Sequence, residues 1–172
     1  MISDRIQQAF NEQINRELYS AYLYLSMAAY FQSINLQGFA NWMKCQVQEE
    51  LVHAMKFYSF INERNGTVLL AGLEAPPTRW DSPLAAFGDA NSHERKVTSM
   101  INKLVDLAIE ERDHASNAFL QWFVTEQVEE EASTDEVVQK LKLAGQDGSG
   151  LFMIDQELAA RVFTMPPALS GA

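Results

Sequence analysis

Residues 36–61, LQGFANWMKCQVQEELVHAMKFYSFI, decide the fold of this 172-residue chain. Taken in alternating steps of three and four, they give a row of mainly apolar side chains that starts at Leu36 and ends at Ile61. Side chains at this spacing share one face of a helix, so the row predicts a helix packed against a hydrophobic core. Near its middle the row is broken by Glu50, where the pattern requires an aliphatic side chain.

Three further stretches repeat this arrangement, each with one glutamate near the middle of a mainly apolar row. These rows run from Phe10 to Ala28, from Phe87 to Ala108 and from Leu120 to Ala144. Each glutamate lies about 12 to 15 residues, roughly 20 Å, from the start of its own helix, which is the midpoint of a helix about 40 Å long. Packed together, the helices would therefore bring the carboxylates to one level. The four residues are Glu17, Glu50, Glu94 and Glu130.

Glycine and proline separate these rows and indicate where the helices end. Asn65-Gly66 is a helix-ending signal, and Ser82-Pro83 is an N-cap followed by proline at the first helical position. The residues between them reach roughly 50 Å when extended, enough to cross a bundle. We predict one all-α domain over 1–172: a ferritin-like four-helix bundle with a long crossover between its second and third helices, and a short fifth helix near the C-terminus. The predicted helices span about 4–33, 38–64, 83–112, 115–143 and 151–163.

Charge and composition exclude several classes of protein. Thirteen Lys and Arg against 23 Asp and Glu give a net charge of −10, which argues against binding nucleic acid or an anionic membrane and suits a protein that handles cations. Because the N-terminus is polar and no run of 18 apolar residues occurs, we expect neither a signal peptide nor a membrane span. A single cysteine, Cys45, excludes a disulfide framework and a Cys-rich metal site. We expect a cytoplasmic protein.

Four unpaired carboxylates in an apolar core predict a bound metal. Desolvating each one costs several kcal/mol, and no Lys or Arg lies in any of the rows to offset that cost. Two divalent ions would balance the four negative charges, and so would an oxo-bridged pair of trivalent ions. Glu50-x-x-His53 adds an imidazole at the i, i+3 spacing found in di-iron bundles. Oxygen-rich ligation with one nitrogen and no thiolate favours iron or manganese over structural zinc.

Several long runs of the sequence match one known family. They are NEQINRELYSAYLYLSM, QEELVHAMKF, FLQWFVTEQVEEE and KLAGQDGSGLFMIDQEL. Over essentially residues 5–160 the chain resembles the non-haem bacterial-type ferritins. The resemblance implies a ferroxidase centre, with Glu50 bridging two iron ions. Its ligands would be Glu17, Glu50 and His53 for the first iron, and Glu94 with Glu130 or Gln127 for the second.

The same resemblance implies a redox-active tyrosine and a third, outlying iron site. Tyr24 corresponds to the family tyrosine that can give an electron to O2 chemistry, although a core aromatic is an equal alternative from the residues alone. Leu51 and Glu130 stand where haem-binding relatives have methionine and histidine, so we expect no haem. For the third site the alternative is a solvated acidic face. Its residues would be Glu49, Glu126, Glu129 and Glu130.

In functional terms the resemblance implies an iron store with ferroxidase activity. Fe(II) would be oxidised by O2 or H2O2 and deposited as ferric mineral in a shell of twenty-four identical subunits. Two alternatives stay open, namely a non-storage di-iron oxidase or peroxidase of the same architecture, and a metal-free structural bundle. Of the remaining polar residues, we predict that His93 and His114 lie at the surface and that Cys45 is a minor packing or surface thiol.

Overall fold

The computed structural model describes residues 1–145 and 147–165, and the regular structure in this part of the chain is helical. α1 packs against α2 and α3 against α4, while the short α5 lies against α2 and α4. This is the predicted four-helix bundle with a fifth helix. Residues 166–172, which the predicted single domain includes, lie outside the described residues. The helices are α1 Asp4–Ser33, α2 Gln37–Glu63, α3 Pro83–Glu110, α4 His114–Ala144 and α5 Gly148–Leu158.

None of the described helices has both the length and the apolar character that crossing a membrane requires.

The first four helices begin and end within two residues of the predicted positions, because their ends are encoded locally. The side chains of Ser3, Ser82 and Asp113 accept hydrogen bonds from backbone N–H groups in the first turns of α1, α3 and α4. After α2 the chain turns at Asn65, whose φ of 56° lies in the left-handed region. Local capping chemistry therefore explains most of the predicted boundaries.

The fifth helix differs from the prediction at both ends. Asp147 starts it three residues early, because its carboxylate accepts from the backbone N–H groups of Ser149 and Gly150. The predicted end at residue 163 is wrong, since the helix stops at Leu158. The side-chain amide of Asn41 on α2 donates to the carbonyls of three residues at this end of the chain. A helix that continued to residue 163 would use two of those carbonyls, of Leu158 and Ala159, internally.

The crossover between α2 and α3 runs along the outside of α1. Near the start of α1, Asn11 accepts from the N–H of Leu69 at 2.7 Å. Near its end, Ser26 donates to the carbonyl of Pro77 at 2.5 Å. The connection therefore spans the length of the bundle, as the sequence predicts.

The core of the bundle has two apolar halves. One half lies toward α5 and includes Phe31, Phe39 and Phe87. The other lies toward the opposite end and includes Phe10 and Phe57, whose ring centroids are 5.0 Å apart. The buried glutamates come from the level between these halves.

Gly38 lets α5 approach the start of α2 closely. Leu36, the N-cap of α2, provides no side-chain cap, and the carboxylate of Asp155 on α5 accepts from the N–H groups of Gly38 and Phe39 at 2.7 and 3.1 Å. A Cβ at position 38 would lie 1.6 Å from the backbone oxygen of Asp155. Only glycine fits this approach of two backbones.

We expect Gly38→Ala to lower the free energy of unfolding by about 1–3 kcal/mol, because the clash is with backbone rather than with a flexible side chain. Gly88→Ala is the matched control: Gly88 lies inside α3 with no atom within 4 Å of an added Cβ. That substitution should stabilise by about 0.5–1 kcal/mol through helix propensity. Denaturant unfolding measures both values, and equal effects of the two substitutions would contradict the close approach.

Candidate metal centre

Five side chains that can bind metal are buried between the two halves of the core. Each is at most 4% exposed. One comes from α1, two from α2, one from α3 and one from α4, so every helix of the bundle contributes. They are Glu17, Glu50, His53, Glu94 and Glu130.

The most compact group joins α1 to α2. Ligand atoms of Glu17, Glu50 and His53 all lie within 4.8 Å of one another. His53 Nδ1 is 3.4 Å from Glu50 Oε2, as expected for two residues separated by one helical turn. Buried oxygens Oε2 of Glu17 and Oε2 of Glu50 have no hydrogen-bond partner among the described residues. Unpaired buried acceptors beside an imidazole fit a cation, which would supply the missing partner.

Glu94 on α3 has a donor at each carboxylate oxygen. The hydroxyl of Tyr24 on α1 donates to Oε1. The amide of Gln127 on α4 donates to Oε2 at 3.2 Å. Tyr24 is fully buried, so its hydroxyl has access to the predicted centre and not to solvent. These contacts place two predicted residues, Tyr24 and Gln127, directly against a predicted ligand.

Two glutamines that sequence reasoning missed hold two of the other carboxylates in place. Gln13 donates to Glu17 Oε1 at 2.8 Å, and Gln46 donates to Glu130 Oε2 at 2.7 Å. Both side chains are buried. A signal was available for Gln13, which precedes Glu17 on the same helix by four residues, or one turn. Gln46 has this spacing to Glu50 but bonds Glu130 on α4, which the spacing does not predict.

His53 also faces a second group of carboxylates. Its Nε2 is 3.8 Å from Oε1 of Glu126, and ligand atoms of His53, Glu126 and Glu130 lie within 4.8 Å of one another. The imidazole therefore lies between the inner group, which contains Glu17 and Glu50, and an outer one. Since Glu126 is partly exposed, the outer group reaches toward solvent.

The predicted third-site residues line one small cleft of about 110 Å³ beside this outer group. Arg161, which follows α5, enters the same cleft and donates to Glu49 Oε2 at 2.7 Å. Sequence reasoning missed Arg161. The lining consists of Glu49, Glu126, Glu129, Glu130, Ser133 and Arg161.

Comparison with known proteins gives one consistent match. Residues 7–144 match the family model of the ferritin-like domain. The chain belongs to the ferritin family. It is 45% identical over 161 residues to a bacterial non-heme ferritin of Bacteroides fragilis, covering 94% of this chain and 100% of that protein. A bacterial non-heme ferritin of Staphylococcus saprophyticus is 39% identical, covering 95% of this chain and 98% of that one.

Solved ferritin structures agree with this membership in the ferritin family. An open pore ferritin from the archaeon Archaeoglobus fulgidus superposes with a TM-score of 0.94 at 55% identity, covering 94% of this chain and all of that one. A humanized archaeal ferritin superposes with a TM-score of 0.95 at 53% identity, covering 96% of this chain and all of that one. The likeness thus extends over almost the whole chain.

In this ferritin chain His93 is not a surface residue, and that prediction was wrong. It is half-buried between α3 and α1, with Nε2 2.7 Å from Ser20 Oγ. Its ring is nearly perpendicular to that of Tyr24, with centroids 6.1 Å apart. Burial lowers its pKa to about 4, so the imidazole is neutral at pH 7. His114 is exposed, and Cys45 is buried.

Burial dominates the electrostatics of the ferritin centre. It raises the pKa of Glu50 well above its usual range, raises that of Glu94, and raises that of Glu130 to about 8. For His53, burial lowers the pKa, but the nearby carboxylates of Glu126 and Glu50 outweigh burial and raise it well above the ordinary value. Without a bound cation the centre therefore takes up protons, and a cation would replace them.

The metal-free protein should lose stability as the pH rises. A carboxyl whose pKa is higher in the folded state stabilises the fold at low pH, and this contribution disappears as pH rises to the folded pKa. For Glu130 the window runs from 4.5 to about 8. Thermal unfolding in the presence of a chelator should show Tm falling across this window, and Glu130→Gln should flatten the fall. A wild-type Tm that rises across it would contradict this electrostatic description.

Proposed function

We propose that the chain is an iron-storage protein with ferroxidase activity. Fe(II) is the substrate, O2 or H2O2 is the oxidant, and the ferric product is deposited as mineral inside a homo-oligomeric shell. The single observation that carries the proposal is the buried group of Glu17, Glu50 and His53, with its unpaired carboxylate oxygens. Membership in the ferritin family and the non-heme ferritin relatives support it.

In this proposal the centre holds two iron ions. Glu17, Glu50 and His53 hold the first, and Glu50 bridges to a second that is held by Glu94, with Glu130 or Gln127 beside it. Four carboxylates balance two Fe(II), and ligands of this hardness also suit Fe(III). Two Fe(II) give up two electrons, which with two protons reduce O2 to H2O2 or H2O2 to two water molecules.

Residues beside the proposed iron ligands hold the carboxylates in position and provide a route for a proton. Gln13 and Gln46 each hold one oxygen of a carboxylate, which leaves the other oxygen for a metal. The Tyr24 hydroxyl donates to Glu94, so an electron taken from the ring can leave as its phenolic proton passes to that carboxylate. This contact supports a catalytic role for Tyr24 as an electron donor.

Glu49, Glu126 and Glu129, with Glu130, form the proposed third site. His53 links it to the inner group, since Glu126 and Glu130 approach the same imidazole as Glu50 does. We propose that iron passes between the inner centre and this cleft.

We further propose a shell of twenty-four subunits in the cytoplasm. Apolar side chains exposed on the outer faces of α1 and α2 support assembly, because such patches favour burial against another copy. They are Tyr22, Leu25, Leu51, Met55 and Tyr58. The free thiol of Cys45 suits a reducing compartment.

Aerobic loading with Fe(II), followed by gel filtration and iron analysis, tests this function. We expect far more than two iron ions per chain, eluting with a particle much larger than one subunit. About two per chain in a small oligomer would instead favour the non-storage di-iron oxidase, and iron near zero would exclude both.

A further inference from the structure

Arg161 is the one cationic side chain lining the acidic cleft among the described residues. It belongs to the segment after α5, which has no regular secondary structure, and not to the bundle. Its Nη2 donates to Glu49 Oε2 at 2.7 Å, and the two side chains are similarly shielded, at 23% and 22% exposure. The guanidinium thus already neutralises a carboxylate that a metal ion in the cleft would also attract.

Contacts with α2 hold Arg161 in this position. Its guanidinium lies over the ring of Trp42, 4.3 Å from the centroid, and Nη1 is 3.5 Å from the Trp42 carbonyl oxygen. Its own carbonyl accepts from Asn41 Nδ2 at 2.9 Å and from the Cys45 thiol at 3.7 Å. Stacking and backbone bonds therefore keep the guanidinium at the cleft, whereas the ion pair with Glu49 is the contact that a second cation can replace.

A divalent ion in the cleft and the Arg161 guanidinium would compete for the same carboxylates, because both are cations. Four glutamates line the cleft, and Arg161 supplies a single positive charge. A divalent ion brings two charges and a smaller radius, so it gains more from the same carboxylates than a guanidinium does. Its apparent affinity is reduced, however, by the free energy needed to release Glu49 from Arg161.

We propose that Arg161 is a tethered counter-cation that sets the metal affinity of the outlying cleft, and that a divalent ion bound there displaces it from Glu49. The proposal rests on the third site of the proposed function. It makes Arg161 a residue that determines how firmly the cleft retains iron. Because the side chain belongs to the segment that follows α5, metal binding also removes one of the contacts that hold that segment, residues 159–165, on α2.

Calorimetric titration with Zn²⁺, a redox-inert divalent probe, tests the affinity. We expect wild type to bind two ions tightly and a further one more weakly. Arg161→Gln should strengthen the weaker site at least tenfold and leave the tight ones unchanged, while Arg161→Lys, which keeps the charge, should strengthen it less. Glu49→Gln should weaken it. The matched control is Arg64→Gln, which removes an arginine of nearly the same exposure from its ion pair with Asp113, at 3.0 Å, near the opposite end of the bundle.

Hydrogen exchange of the peptide containing residues 159–165 tests the displacement. Zn²⁺ should speed exchange in wild type, and in Arg161→Gln exchange should be fast without Zn²⁺ and unresponsive to it. The role of Arg161 alone would be overturned by either of two results. One is that Arg161→Gln leaves the affinity of the weaker site unchanged, and the other is that Zn²⁺ does not alter hydrogen exchange in wild type. No Zn²⁺ beyond the two inner ions in any variant would overturn the third site as well, with the inner centre intact.

Discussion

Replacing Glu50 with glutamine should slow Fe(II) oxidation by about a hundredfold or more. Removing even a residue that only supports a metal ligand costs about 10–100-fold, and Glu50 is proposed as the bridging ligand itself. Its Oε2 is buried without a hydrogen-bond donor, and it lies in the same compact group as Glu17 and His53. The measurement is the absorbance of the ferric product after anaerobic Fe(II) and protein are mixed rapidly with O2.

The Tm of Glu50→Gln shows whether the variant has lost only the metal centre or has also lost its fold. Without metal, the buried Glu50 carboxyl must either stay charged or take up a proton, and both cost stability near neutral pH. Glutamine removes this cost, so in the absence of metal Glu50→Gln should unfold at a higher temperature than wild type. The control is Glu63→Gln, an exposed glutamate on the same helix, which should leave both rate and Tm unchanged. A Glu50→Gln protein that oxidises Fe(II) at the wild-type rate would show that the reaction takes place elsewhere.

The bundle and the level of its centre were predictable because both depend on helical periodicity. The row through Leu36, Glu50 and Ile61 fixes which face of α2 is buried, and matching rows fix the other three helices. Caps such as Ser82 and Asp113 act within four residues of their own position, so the sequence also encodes most helix ends. Depth along a helix then follows from counting residues.

Contacts between distant parts of the chain were not predictable in this way. Arg161 reaches Glu49 only because α5 docks on α2, and nothing in the local sequence around residue 161 encodes that docking. His93 is one position off its row, and it is half-buried because α1 packs beside α3 and brings Ser20 to it. The end of α5 likewise depends on Asn41, more than a hundred residues earlier in the sequence.

The inner centre should couple metal binding strongly to folding. A ligand that binds only the folded state stabilises it by about 2.7 kcal/mol for each site when its concentration is a hundred times Kd. With Zn²⁺ as the probe, the wild-type Tm should therefore rise steeply with metal concentration. Glu17→Gln combined with Glu94→Gln should remove most of that rise and leave only the contribution of the weaker outlying site, because these substitutions remove one carboxylate from each of the two inner iron sites.

The same double variant should be more stable than wild type in a chelator, since it lacks two carboxyls whose ionised form is costly in the apolar core. This opposite sign distinguishes a metal centre from a purely structural polar layer. Glutamates that only fixed helix register would give a wild-type Tm that does not respond to metal. The matched control, Glu63→Gln with Glu74→Gln, also removes two charges, but from exposed positions, and it should keep the full response to Zn²⁺. If that control lost the response too, the stabilisation would come from overall charge and not from the buried carboxylates.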